Sequence, residues 1–148
     1  MRTGPQALPA GWALAAGLSL AYIAQGLYVD HILGEADSTP RSLIAITVQF
    51  FIIAALLYVK KISIRLPQTL SALAGTGLIF GFWIVFLISQ AEPVRKQFAL
   101  VTLGIILWSL AVDGHIYRHA LSIKMNLGVL LAVLIFAANF ILSVFVLG

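Results

Sequence analysis

From Met125 to Gly148 the chain reads MNLGVLLAVLIFAANFILSVFVLG, a run without one charged side chain. A hydrocarbon layer about 30 Å thick is crossed by roughly 20 apolar residues rising about 1.5 Å each. The run meets that length, and the same ruler finds four more candidate spans, giving approximately 10–28, 43–59, 70–88, 98–117 and 125–147. The expected fold class is an all-α integral membrane protein, a five-transmembrane-helix bundle forming a single polytopic transmembrane domain over 1–148. Composition agrees. Hydrophobic residues make up 61% of the chain and charged residues 9%, whereas a soluble domain carries roughly a quarter charged residues to keep its surface in water. An ordinary soluble enzyme is excluded, and the absence of cysteine removes thiolate nucleophiles, thiolate metal sites and disulfides.

The first span differs from a signal peptide in its single preceding arginine, its longer apolar stretch and the polar loop that follows, so it is expected to be a retained helix. Connections are short: VDHILGEADSTPRS, KKISIRLPQT, SQAEPVRKQ and RHALSIK. Pro67 suits the first turn of the third helix, and Pro93 with Glu92 marks the turn before the fourth. The net charge of +4 would fit a nucleic-acid binder, but Lys60, Lys61 and Arg65 sit beside an apolar run, which points to a membrane edge and to no nucleic acid.

Orientation follows from the short loops. An N-terminus in the cytoplasm puts Arg2, Lys60, Lys61, Arg65, Arg118 and Lys124 inside, against Arg41, Arg95 and Lys96 outside, and the C-terminus then lies outside. Trp12, Tyr58 and Tyr117 fall at the expected inner interface and Tyr28 at the outer one. The expected location is a plasma membrane, in a bacterium the inner membrane. Between helices in lipid, association rests on close packing at small residues and on hydrogen bonds. Ala13, Gly17 and Ala21, the pair Gly77 and Gly81, and Gly128 with Ala132 are read as contact stripes, chiefly within one chain.

The stretch AVDGHIYRHAL, residues 111–121, gathers Asp113, His115, Arg118 and His119 into seven positions. Histidines at i and i+4 share a helical face and offer two imidazoles to one metal, but zinc needs a further ligand and the remaining histidine, His31, is expected on the other side. One helical pair also fails to supply both axial ligands of a haem. The stretch is therefore read as a membrane exit, with Arg118 and His119 among headgroups. Asp113 is not explained by that reading. A carboxyl inside the boundary is expensive unless it is paired, protonated or turned inward, so it is the leading functional candidate, with Arg118 or His115 as its expected partner. Alternating helix directions also bring Gln25, Gln49, Thr102 and Asn139 to similar depth in the outer half of the bilayer. Their expected role is interhelical hydrogen bonding or the lining of a small pocket beneath the loop holding Asp30, His31, Glu35 and Asp37.

No catalytic set, phosphate loop or complete metal-ligand set is legible, and no cofactor is assigned. The leading expectation is a non-enzymatic accessory or scaffold subunit of a membrane complex, whose partners are the lipid bilayer and other membrane chains or a homo-oligomer. A small oligomeric transporter or channel protomer is the alternative, and a membrane haem, quinone or metal-binding protein the third reading.

Overall fold

A computed structural model describes residues 11–32, 41–90 and 96–147, and all regular structure among them is helical. The helices are α1 (Trp12–Ile32), α2 (Arg41–Val59), α3 (Leu66–Ile88), α4 (Ala99–Leu121) and α5 (Met125–Leu147), with a single 3-10 turn at Ser63–Arg65 before α3. Each of the five helices is long and apolar enough to cross a membrane. They present large apolar side chains outward, among them Phe51, Leu100, Trp108 and Phe145, a surface that suits hydrocarbon and not water. Arg2, Glu35, Asp37, Glu92, Pro93 and Arg95 lie outside the described residues.

Two helix pairs carry most of the packing. α1 lies along α3, α4 lies along α5, and the pairs meet where α3 faces α4; α2 lies across the groove between them, touching α1 and α5 most. Glycines set the close approaches. A Cβ on Gly128 would fall on the backbone carbonyl of Gly114, and one on Gly114 would come within 2.9 Å of the Val129 backbone, so α4 and α5 meet main chain to main chain. A Cβ on Gly77 would sit 2.6 Å from the Tyr22 ring, and one on Gly81 would run into the Gln25 amide. The α3 glycine pair is thus the space that houses the Tyr22 and Gln25 side chains of α1.

Gly128 and the buried Ala132 act as expected, but the α1 stripe does not. Ala13, Gly17 and Ala21 are exposed, with nothing near Gly17, because α1 turns the face carrying Ala15, Leu18, Tyr22 and Gln25 toward α3 instead. Two polar residues needing partners on that face outweigh the smoothness of the opposite one.

The closest-packed core, including Ile53, Leu57, Leu73, Ile116 and Ile135, occupies the half of the bundle near the α2–α3 turn. Basic groups of that turn close the end of α4. Arg65 donates to the carbonyls of His119 and Ala120 at 3.3 and 3.1 Å and to the Ser122 hydroxyl at 2.8 Å, and Lys60 donates to the Leu121 carbonyl at 3.2 Å. Cations there satisfy orphan carbonyls and oppose the negative end of the helix dipole. Ser122 and Lys61, each just past a helix end, take left-handed φ values of 54° and 58°. In both places the following amide turns back, Ile123 to Arg118 and Ile62 to Leu57. At the opposite end Asp30, 4% exposed, accepts from the Ser42 amide at 3.1 Å and the Ser42 hydroxyl at 2.9 Å. The carboxylate caps the start of α2, a structural task for a residue that the sequence places in a loop.

Candidate functional site

On α4, Ser109, Asp113 and Tyr117 recur every fourth residue, which aligns them on one helical face. That face turns toward α2 and the groove between the helix pairs, where two adjoining cavities open. One, of about 400 Å³, lies among α1, α2, α4 and α5; the other, of about 290 Å³, lies among α1, α2, α3 and α4. Asp113, Ser109, Tyr22, Ser42 and Gln49 line both, so they form the shared wall. Asn139, Phe136 and Phe140 complete the larger cavity, and Gln25, Phe80 and Ile106 belong to the smaller.

Asp113 stands roughly two turns, about 12 Å, before the last residue of α4. The α4–α5 crossing at Gly114 and Gly128 fixes the neighbouring residue, which holds the carboxyl in place. Its electrostatic neighbours are the phenols of Tyr22 and Tyr117. The Gln49 amide donates to the Tyr117 hydroxyl at 2.9 Å across α2 and α4. Asn139 brings a side-chain oxygen that is buried and, among the described residues, has no hydrogen-bond partner.

The sequence-derived residues divide clearly. Asp113, Gln49 and Asn139 meet at the larger cavity, while Gln25 lines the smaller one and donates to the Leu78 carbonyl at 3.1 Å. The three amides bond other helices or face the cavity instead of bonding each other. Thr102 takes no part, since its hydroxyl donates to the Phe98 carbonyl of its own helix at 3.1 Å, a bond one turn back that leaves it no need of a partner helix.

Arg118 is exposed and forms no ion pair with Asp113 among the described residues, because a spacing of five carries it around the helix to another face. His115 and His119 set their rings 4.5 Å apart, as i and i+4 residues do, and among the described residues no group of three metal-ligating side chains includes them. Tyr117, expected at the interface, is 1% exposed and belongs to the core. Trp12, Tyr28 and Tyr58 do lie exposed near helix ends. His31 is exposed at the far end of α1.

Tyr22, Ser42 and Ser109 were missed. Two of them carry a signal in the sequence: Tyr22 stands three residues before Gln25, on the same side of α1, and Ser109 stands four before Asp113. No family model, curated protein or solved structure matches the chain.

Proposed function

We propose that the chain is a small multi-pass membrane protein that admits a polar solute into its bundle, as a transporter or channel protomer does. One observation carries this reading. Asp113 and the unpartnered oxygen of Asn139 line the same cavity of about 400 Å³, a size in the range of small-molecule sites. A polar group away from water is costly when it lacks a partner, and a solute that supplies one offsets the cost. Structural amides behave differently, as Gln25 and Gln49 do in bonding to neighbouring helices.

The test is a solute screen by thermal unfolding of the purified chain in detergent. At least one class of small polar solute is expected to raise the wild-type midpoint and to leave Asn139→Leu unmoved. No stabilising solute, together with stoichiometric co-purification of other membrane chains, would return the accessory-subunit reading to first place.

That second reading has its own support in the exposed small-residue stripe Ala13, Gly17 and Ala21, which is smooth enough for another helix to approach closely. Mass in detergent separates the two: Gly17→Leu dissociates an assembly that uses the stripe and leaves a monomer unchanged. For orientation, we infer that the end bearing Lys60, Lys61, Arg65 and Lys124 faces the cytoplasm, with the N-terminus on the same side, on the charge bias of the loops.

A further inference from the structure

Hydrogen-bond donors and acceptors around the cavity are unevenly used. Three polar groups of its wall spend a hydrogen on the protein itself. Gln49 Nε2 donates to Tyr117, the Ser109 hydroxyl to the Ile106 carbonyl at 2.8 Å, and the Ser42 hydroxyl to Asp30. The acceptors are left over. Among the described residues neither a hydrogen bond nor an ion pair is formed to the Asp113 carboxyl, and the Asn139 oxygen has no donor. The Gln49 amide, with one of its two N–H groups committed, also has its oxygen to offer.

The wall is therefore rich in acceptors, carries a group able to bear negative charge, and is flanked by the aromatic rings of Tyr22, Tyr117, Phe136 and Phe140. A neutral acceptor such as a quinone carbonyl would find donors in the Tyr22 and Tyr117 hydroxyls and in the Asn139 and Gln49 amides, but would leave the Asp113 carboxyl and the Asn139 oxygen without one. A group with several N–H donors and a positive charge would satisfy Asp113 and Asn139 together and lie against ring faces, which attract cations.

We propose that the cavity between α2, α4 and α5 binds a small organic ammonium ion, with the Asp113 carboxyl as its counter-ion, the Asn139 oxygen as a second acceptor and the surrounding aromatic rings as its walls. This deepens the solute-binding reading and rests on it. The carboxyl selects charge. The Asn139 oxygen, on a different helix, selects for N–H and so favours a primary or secondary ammonium over a quaternary one. The aromatic and aliphatic remainder accommodates the carbon skeleton.

The experiment compares benzylammonium with benzyl alcohol, a neutral molecule of similar shape, on the full chain in phosphatidylcholine nanodiscs. Affinity is read by saturation-transfer NMR, with Asp113→Asn as the background for partitioning into lipid. Wild type is expected to prefer benzylammonium by about tenfold or more, the factor typical of one charge-assisted hydrogen bond. Asp113→Asn abolishes the preference, and Asn139→Leu weakens benzylammonium severalfold without changing the alcohol.

A second measurement needs no variant. Labelling of Asp113 by the apolar reagent dicyclohexylcarbodiimide, mapped by mass spectrometry, is slowed by benzylammonium and not by benzyl alcohol. Equal binding of both probes with equal protection would overturn the ammonium assignment while leaving a solute-binding cavity. Failure of both probes to bind or protect would overturn the assignment and the solute-binding reading together.

Discussion

Replacing Gly128 with alanine tests the crossing that holds Asp113 in position. The new methyl group would fall on the Gly114 carbonyl oxygen, 3.1 Å from the Arg118 nitrogen and 3.2 Å from the Gly114 carbonyl carbon. All three atoms are backbone, so no rotamer change relieves the clash, and α4 and α5 must separate by roughly an ångström to reach ordinary van der Waals distance. Overpacking of this kind costs about 1–3 kcal/mol. Exchanging glycine for alanine inside a helix returns up to about 1 kcal/mol through backbone entropy. With the full return taken, the net expectation is a loss of about 0–2 kcal/mol. Gly104→Ala supplies the control, because that Cβ would have nothing within 4 Å, so the propensity gain acts alone and the variant is stabilised by up to about 1 kcal/mol. Equilibrium unfolding in dodecyl maltoside and dodecyl sulfate mixed micelles, followed by circular dichroism, reads both. Stabilisation of Gly128→Ala to the same extent as Gly104→Ala would refute the contact and, with it, the placement of the Asp113 side chain beneath α2.

Arg65→Gln removes the charged donor shared by two carbonyls and a hydroxyl at the end of α4, and in this half-exposed position it is expected to cost about 1 kcal/mol in the same unfolding assay. Lys61→Gly relieves a left-handed backbone at an exposed residue and is expected to stabilise by about 0.5–1 kcal/mol, whereas the same change at the right-handed neighbour Lys60 destabilises. Single cysteines at Ile64 and His31, both exposed and at opposite ends of the bundle, are expected to label from opposite sides of an intact membrane, with Ile64 reached only from the cytoplasm; labelling of Ile64 from outside reverses the orientation.

The five helices are legible in the sequence because each apolar run matches the thickness of hydrocarbon, a property that belongs to one segment at a time. Their ends are less so. The third helix begins at Leu66, with Pro67 in its first turn as expected, four residues before the apolar span at 70, and the fourth runs to Leu121 instead of 117. At the end of the fourth, polar residues expected to leave the helix keep their backbone in it. The carbonyls of His119, Ala120 and Leu121 stay helical because Arg65 and Lys60, more than fifty residues away in sequence, supply the donors. A partner so distant leaves no local pattern. The error moves Asp113 from near a boundary to about 12 Å inside its helix, and that displacement changes it from a residue at the edge of the membrane to one at the wall of a cavity.

The candidate site was half legible for a related reason. Matching depth located Gln49 and Asn139 beside the same cavity, since depth depends only on counting residues along antiparallel helices. Which of the polar residues at that depth turn inward depends on whether each can satisfy itself. A threonine or serine hydroxyl reaches the carbonyl one turn back on its own helix, as Thr102 and Thr76 do, and then tolerates any face. A glutamine, asparagine or aspartate side chain gains no such satisfaction in mid-helix and must find a partner across the bundle. Gln25 and Gln49 have found theirs. Among the described residues the Asn139 oxygen and the Asp113 carboxyl have not, although the same packing brings them to the cavity wall. The two residues that break the rule of self-satisfaction face the same cavity, and an occupant with hydrogens to give is the partner that would remove the cost from both.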